Sequence, residues 1–326
     1  MNGQPLLEVE NLRIDLAAGD TRFAAVQDVS FTINRGETMG LVGESGCGKS
    51  ITALALIGLL RHPLMIGGGT IRFDGREIQK LPASEMRGLR GNRIAMIFQE
   101  PMTALNPLSP VGRQIAEMFV LHKGASWREA ENLAVEALAS VRVPAPERRV
   151  KDYPHQLSGG MRQRVMIAIA LACGPDLLLA DEPTTALDVT VQAEILDLIR
   201  ELSAAKGTAV LMISHDLGLI ANMCRRVGVM YAGKLVEERA AEDVFRSPSH
   251  PYTGGLVASL PLLGARARHG RQRLREISGV VPPVSAFPKG CRFNPRCHAS
   301  TDRCRAEDPV VTALPDGGFV RCHYHE

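Results

Sequence analysis

The chain has 326 residues, a length that corresponds to about two domains of roughly 150 residues each. Its residues are 45% apolar and 22% charged, close to the average of globular proteins, which excludes a mostly disordered chain. With 38 basic and 35 acidic residues, the net charge of +3 is too small to draw the chain to nucleic acid or anionic lipid. An aromatic content of 4% also argues against a surface that stacks on nucleotide bases.

Membrane and export signals are weak in this sequence. The longest apolar run, residues 165–173, spans nine residues, whereas a membrane-spanning helix needs about 17–25. Residues 1–5 show no basic segment followed by an apolar stretch, so no secretory signal is predicted. We therefore expect a cytosolic protein that does not cross a bilayer alone.

The first part of the chain alternates apolar and polar residues, which is typical of half-buried strands. Apolar runs that end at glycine or proline indicate buried elements. The predicted elements are strands at 6–12, 31–33, 38–42 and 71–73 and a helix at 51–60.

The middle of the chain becomes helical in pattern over residues 106–156, and buried strands then alternate with helices. The predicted elements are helices at 161–173 and 191–202 and strands at 177–180 and 209–213. Such alternation favours an α/β core with a parallel sheet. The helical stretch is predicted to be an insertion in that core.

The composition changes near Ser247, where a run rich in serine and proline interrupts the chain. We predict a first domain over 1–246, with a helical subdomain over about 102–160, and a cysteine-bearing extension over 247–326. The basic run over 266–275 is expected to be a solvated linker.

A phosphate-binding loop is the strongest motif. The run Gly43-Glu44-Ser45-Gly46-Cys47-Gly48-Lys49-Ser50 fits the pattern G-x-x-x-x-G-K-[ST] between a buried strand and an apolar helix at Ile51. The glycines let backbone N–H groups point at phosphate oxygens, and the start of the helix favours an anion. Lys49 supplies a point charge to the phosphates and Ser50 a hydroxyl to Mg²⁺.

Polar side chains at the ends of predicted strands form the second part of the predicted site. Asp181 and Glu182 end a buried strand, where ligands of open α/β sheets bind. We expect Asp181 to hold Mg²⁺ through water and Glu182 to polarise the attacking water. Gln99 and His215 also follow strands. Gln99 is expected to reach Mg²⁺ or the attacking water, and His215 is expected to contact the γ-phosphate.

A further anion site is predicted at Ser158, Gly159 and Gly160, where the serine caps a helix and two glycines expose its N–H groups. This run lies more than a hundred residues from the phosphate-binding loop. Because one nucleotide does not need two such sites, we expect these residues to act in trans, on the nucleotide of a second copy or a paralogue. Asp188 is expected at the same interface.

These motifs occur in the order and spacing of the ATP-binding cassette (ABC) ATPases, and residues from about 6 to 245 resemble that family. The resemblance implies a P-loop NTPase core with parallel and antiparallel β parts, paired head to tail around two ATP molecules. It also implies Mg²⁺ and hydrolysis that drives a membrane partner. Catalytic roles are then expected for Glu182, His215 and Gln99.

A narrower resemblance, over nearly the whole chain, is to the D-type ATPases of dipeptide and oligopeptide permeases. The residues that carry it are the run Gln99-Glu100-Pro101-Met102-Thr103-Ala104-Leu105-Asn106-Pro107, residues 247–252 and the terminal cysteines. It implies a second, paralogous ATPase, two permease subunits and an extracytoplasmic binding protein at the inner membrane. The chain departs from the family at Ile51, where a residue with a side-chain hydroxyl is common. The family often has an aromatic residue that stacks on adenine before the phosphate-binding loop, and neither Leu16 nor Phe23 is assigned to that role.

The extension carries four cysteines with the spacing C-x5-C-x6-C-x17-C. Cytosolic thiols rarely form disulfides, and a thin core would benefit from a metal. A [4Fe–4S] cluster is favoured, in agreement with the resemblance, while zinc and an unoccupied site remain alternatives. The predicted ligands are Cys291, Cys297, Cys304 and Cys322.

The predicted function is that of an ATP-hydrolysing importer subunit, most simply for dipeptides or oligopeptides. Nickel, glutathione or another small solute could be served by the same ATPase, because the cargo does not touch this subunit. A soluble cassette ATPase acting on nucleic acid or ribosomes is the alternative class. A cysteine extension that senses redox state or iron is compatible with the first function.

Overall fold

The computed structural model describes residues 4–185, 187–260 and 276–324. The predicted linker over 266–275 therefore lies outside the described residues. The chain forms two compact units that interleave along the sequence. The described residues of the first unit fall in Met1–Leu6, Ile33–Glu37 and Phe73–Met212, and those of the second in Leu7–Thr32, Thr38–Arg72 and Ile213–Glu326.

The second unit contains most of the long antiparallel strands and the elements around the predicted phosphate-binding loop. Its strands are β1 (Leu7–Ala18), β2 (Thr21–Ile33), β3 (Thr38–Val42), β4 (Leu64–Phe73), β9 (Arg226–Tyr231), β10 (Lys234–Ala240), β11 (Thr312–Ala313) and β12 (Phe319–Val320). Its helices are α1 (Lys49–Leu56), α9 (Leu217–Met223), α10 (Ala241–Arg246), α11 (Pro251–Ala258), α12 (Asp302–Ala306) and the 3-10 helix Val284–Ala286.

The first unit contains the predicted helical insertion and the strand that precedes the two acidic residues. Its strands are β5 (Arg76–Glu77), β6 (Ile94–Ile97), β7 (Leu177–Asp181) and most of β8 (Ala209–Ser214). Its helices are α2 (Ala83–Leu89), α3 (Pro101–Ala104), α4 (Val111–Lys123), α5 (Trp127–Ser140), α6 (Pro146–Arg149), α7 (Gly159–Leu171), α8 (Val189–Lys206) and the 3-10 helix Pro154–Gln156.

Parallel pairing brings loop-bearing strand ends together in each unit. In the first unit the strand order is β8-β7-β6, and β6 pairs with β7 in parallel so that Ile97 faces Ala180. In the second unit the order is β11-β12-β10-β9-β3, with β3 and β9 parallel and the rest antiparallel. A separate sheet in that unit places β1 between β2 and β4.

The predicted fold class is confirmed: an α/β core with parallel pairing, an antiparallel β part and inserted helices. The apolar strands and helices of the middle of the chain lie within a few residues of their predicted bounds, and β7 is buried throughout. None of the helices in the described ranges is long and apolar enough to cross a membrane.

The sequence analysis missed β9 and β10. Lys234, Glu237 and Glu238 interrupt the apolar pattern of β10, yet all three are buried. Glu237 is fully buried because its carboxylate oxygens accept hydrogen bonds from the backbone N–H groups of Ser249 and His250, both at 2.9 Å. A buried acid that caps the backbone in this way cannot be predicted from hydropathy.

The extension packs into an apolar core that it shares with β9 and β10, contrary to the expectation of a thin core. Tyr252 and Phe293 are buried, and their rings lie 5.4 Å apart beside Tyr231. Val320 is fully buried in β12, which pairs with β10 at Glu237. Aromatic packing and sheet pairing therefore stabilise the extension.

His250 allows a test of this packing through pH. It caps α11 because Nδ1 accepts a hydrogen bond from the Tyr252 N–H (3.0 Å). Burial lowers the pKa of His250 from 6.5 to about 3. In the unfolded chain His250 takes up a proton near pH 6.5, whereas in the folded chain it stays neutral down to about pH 3. Stability is therefore lost as the pH falls below 6.5.

His250→Asn should keep the cap and abolish this titration. Between about pH 7.5 and pH 5.5, the parent should lose about 1.4 kcal/mol more of its free energy of unfolding than the variant. Urea unfolding of both proteins at the two pH values measures the difference. Equal losses would show that His250 takes up its proton in the folded state.

Candidate functional site

The phosphate-binding loop over residues 43–50 is organised around a buried lysine. Lys49 begins α1 and is 5% exposed, and its Nζ donates to Gly43 O (2.8 Å) and Glu44 O (3.1 Å). These carbonyl contacts hold the ammonium group inside the curve of the loop. Ser45 and Gly46 at the tip are exposed, while Ser50 and Ile51 are half-buried in the first turn of α1.

Two positions of this loop require glycine. A Cβ on Gly43 would lie 2.2 Å from Met230 O, and φ is +151° there. Gly48 caps α1 with φ of +109°, a conformation that L side chains rarely adopt. Cys47 is buried in the loop, and burial raises the pKa of its thiol, with Lys49 opposing the shift. The loop is therefore a preformed backbone cradle with a neutral thiol on its inner side.

The ends of β6 and β7 bring together two residues predicted for the site. Gln99 follows β6 and Glu182 follows β7, and Gln99 Nε2 donates to Glu182 Oε2 at 3.0 Å. Thr185 Oγ1 donates to the same carboxylate oxygen at 2.9 Å. Asp181 ends β7 and is 4% exposed. Glu182 has φ of +46°, an uncommon backbone conformation for a residue with a side chain that is seen at functional turns.

His215 lies in the second unit, directly after β8. It is exposed and precedes Asp216, whose carboxylate accepts from the Leu219 N–H (3.2 Å) and so caps α9. The short loop from the end of β8 to α9 therefore presents the imidazole at a strand end, as the sequence analysis expected.

The run 158–160 begins a helix as predicted. Ser158 caps α7, since its Oγ accepts a hydrogen bond from the Met161 N–H (3.3 Å). A Cβ on Gly160 would lie 3.0 Å from Val191 Cγ1 in the first turn of α8. Asp188 caps α8 by accepting from the Val191 N–H (3.0 Å). The capped N-termini of α7 (13 residues) and α8 (18 residues) therefore lie side by side in the first unit.

The predicted iron–sulfur cluster is contradicted. Among the described residues, which include Cys291, Cys297, Cys304 and Cys322, no group of three or more Cys, His, Asp or Glu is arranged to hold a metal ion. Burial raises the pKa of Cys291 to about 11 and also raises the pKa of the Cys297 and Cys322 thiols. The prediction was wrong because it took cysteine spacing as the substitute for a missing core, and the described residues support zinc no better.

The sequence analysis missed three residues that contact the site residues. Thr185 lies next to the predicted glutamate, and a hydroxyl three residues after a strand-end acid was the available signal. Tyr252 Oη accepts from the Glu44 N–H (2.9 Å), and Arg296 binds the Glu44 carboxylate (2.6 Å). These two are separated from Glu44 by 208 and 252 positions, so no local pattern could indicate them.

Comparison with known families agrees with this geometry. A family model described as "ABC transporter" matches residues 26–185, which include the phosphate-binding loop and the end of β7. A second model, described as "Oligopeptide/dipeptide transporter, C-terminal region", matches residues 236–304.

Several proteins are similar over nearly their whole length. The probable peptide ABC transporter ATP-binding protein y4tR of Sinorhizobium fredii is 50% identical, over 97% of this chain and 94% of that protein. The dipeptide transport ATP-binding protein DppD of Escherichia coli is 45% identical, over 98% of this chain and 96% of that protein. The oligopeptide transport ATP-binding protein OppD of Salmonella typhimurium is 50% identical, over 95% of this chain and 91% of that protein.

A solved structure shares the fold. The dimeric post-hydrolysis state of the ATP-binding cassette MJ0796 bound to ADP and Pi has a TM-score of 0.65 and 28% identity, over 72% of this chain and 98% of that chain. Identities of 45–50% across almost the full length of the relatives support the family assignment more strongly than the shared fold does. The chain belongs to the ABC transporter family as one of its ATP-binding proteins, and proteins of this family hydrolyse ATP.

Proposed function

We propose that this chain is the ATP-hydrolysing subunit of an ABC importer for dipeptides or oligopeptides. The observation that carries this proposal is the match over residues 236–304 to the C-terminal region of oligopeptide/dipeptide transporters, in addition to the cassette. Relatives named for dipeptide and oligopeptide transport are similar over both parts. We place the boundary between cassette and extension near residue 246, with the helical subdomain over about 102–160.

ATP is assigned to the loop over 43–51, where backbone N–H groups and Lys49 would hold the phosphates. Ser50, Asp181 and Gln99 are assigned to Mg²⁺ from the motif series, and each side chain offers the kind of oxygen ligand that this ion prefers. When bound, Mg²⁺ would neutralise developing phosphate charge. His215 is assigned to the γ-phosphate, from its position in the motif series.

Glu182 is assigned as the group that orients and deprotonates the attacking water. Gln99 and Thr185 both donate to its Oε2, which fixes the direction of the carboxylate. A carboxylate oriented by two donors needs little reorganisation when the reaction begins. Gln99 is therefore assigned as a group that orients the Glu182 carboxylate.

Glu182→Gln should lower the rate of ATP hydrolysis by about 10²–10⁴-fold, because it removes the base while keeping the shape. ATP binding should persist, and an ATP-bound dimer should accumulate in size-exclusion chromatography. Two controls accompany the experiment. Glu201→Gln changes an exposed acid paired with Arg142 and should hydrolyse normally, whereas Lys49→Ala should lose ATP binding. Near-normal turnover of the Glu182 variant would refute the assignment.

The run 158–160 is assigned to the nucleotide of the partner ATPase, which we propose to be a paralogue in a heterodimer. This proposal is supported by the start of α7, where Ser158 and Gly159 are exposed and the helix dipole favours an anion. Asp188 lies beside it at the start of α8.

Gly160→Asp should leave ATP binding to the isolated chain within about twofold, while hydrolysis by the assembled pair should fall at least ~10-fold. The new carboxylate would repel phosphate at the helix start. Gly160→Ala is the matched control, since it makes the same Cβ contact with Val191 without a charge. Equal loss of ATP binding by the isolated Asp variant would contradict a role in trans.

The proposed partners are two membrane permease subunits, a second ATPase and an extracytoplasmic substrate-binding protein, with this chain on the cytoplasmic face of the inner membrane. The complete transporter in proteoliposomes tests the cargo. Dipeptide-loaded binding protein should stimulate ATP hydrolysis several-fold, and Glu182→Gln should abolish uptake of labelled dipeptide. Stimulation by nickel or glutathione alone would replace peptides as the assigned cargo. Stimulation by RNA or ribosomes would refute the importer function.

A further inference from the structure

Glu44, the second residue of the phosphate-binding loop, is held by an arginine of the C-terminal extension. Arg296 Nη1 donates to Glu44 Oε2 at 2.6 Å, and Nη2 donates to Oε1 at 3.0 Å. The Arg296 side chain is 4% exposed and that of Glu44 is 32% exposed. A two-pronged pair of this kind fixes both direction and distance, as a surface ion pair does not.

The guanidinium group is itself fixed by further contacts. Arg296 Nε donates to Ser278 O (2.8 Å), and Nη2 also donates to Ile277 O (3.2 Å). The group lies 5.7 Å from the centre of the Tyr231 ring, at the end of β9. Arg296 is therefore a rigid part of the extension rather than a side chain that swings freely.

A second group of the extension binds the same loop residue through its backbone. The Tyr252 hydroxyl accepts the Glu44 N–H at 2.9 Å, and Tyr252 is fully buried. Its ring packs against Tyr231 (4.7 Å) and against Phe293 (5.4 Å), three residues before Arg296. Both the carboxylate and the N–H of Glu44 are thus held by residues after position 247.

A third contact reaches the other side of the loop. Arg292 donates to Ala232 O, in the turn between β9 and β10. The next residue of that turn, Gly233, donates its N–H to Cys47 O at 2.8 Å. Arg292 also donates to Gln27 Oε1 (2.5 Å), and the Gln27 N–H donates to Gly233 O (2.8 Å). The segment 292–296 therefore supports the loop at two separate points.

The charge of Glu44 explains why such support matters. A carboxylate in a loop that receives a polyanion would repel it, and the neighbouring Glu44 O accepts from the Lys49 ammonium group (3.1 Å). Arg296 neutralises this carboxylate and turns it toward the extension. Loss of the arginine would leave this carboxylate beside the site without its charge partner, while Tyr252 still holds the Glu44 N–H.

We propose that the C-terminal extension is a working part of the nucleotide site, in which Arg296 and Tyr252 are positioning residues that set the affinity for ATP by holding Glu44. The proposal rests on the assignment of ATP to the loop over 43–51. It gives the extension a role in nucleotide binding as well as any role in the transporter.

The test measures equilibrium binding of ATP and the kinetics of hydrolysis. Arg296→Met should weaken ATP binding at least ~10-fold and raise KM more than it lowers kcat, since the half-buried Glu44 carboxylate would lose its charge partner and repel the phosphates. Arg303→Met is the matched control, because it removes an exposed arginine–glutamate pair (Arg303–Glu307) from the same extension. Its ATP binding should stay within twofold of the parent.

The decisive variant is the double substitution Arg296→Met with Glu44→Gln. If the harm comes from an unpaired carboxylate, removing that carboxylate should restore ATP affinity to within about threefold of the parent. A purely structural role for the arginine predicts no such rescue. The defect of the single variant should also shrink as salt is raised, because salt screens the repulsion.

Tyr252→Phe keeps the ring and removes only the hydroxyl, so it decides the question if Arg296→Met does not fold. It should weaken ATP binding several-fold, without rescue by Glu44→Gln. Lys49→Ala distinguishes failure of the proposed role of the extension from failure of the ATP assignment to the loop. ATP binding unchanged in Arg296→Met and Tyr252→Phe but lost in Lys49→Ala would overturn this inference alone, whereas binding retained in Lys49→Ala would overturn the ATP assignment itself.

Discussion

A buried ammonium group held by backbone carbonyls is the interaction on which the rest of the phosphate-binding loop depends. Lys49 donates to Gly43 O and Glu44 O, so the loop must curve tightly enough to bring both carbonyls inward. That curvature brings Gly43 so close to Met230 O that a Cβ cannot fit. The glycine at position 43 therefore accompanies the placement of this one charge.

The parts of the fold that hydropathy could predict are those in which side-chain burial and backbone pairing coincide. The apolar run that became β7 is buried throughout, and Ser158 and Asp188 cap helices at the positions that their residue types favour. Gln99 and Glu182 were each expected after a strand, and the parallel pairing of β6 and β7 brings them into contact.

The parts that could not be predicted depend on contacts between distant residues. Buried Glu237 reads as a surface residue until its two backbone donors are known. Four cysteines in a short extension suggested a metal, yet Tyr252 and Phe293 supply a core that the cysteine spacing gave no hint of. The bond between Glu44 and Arg296 has no local signature, because its partners share neither an element nor a motif.

The long separation of that pair has a consequence for synthesis. Glu44 leaves the ribosome 252 residues before Arg296, an interval of about 10–50 s at typical elongation rates. The strand and helix next to the loop are translated with it, whereas the groups that hold its second residue follow 208 and 252 residues later. A nascent chain therefore lacks the Arg296 contact to this loop until residue 296 has been translated.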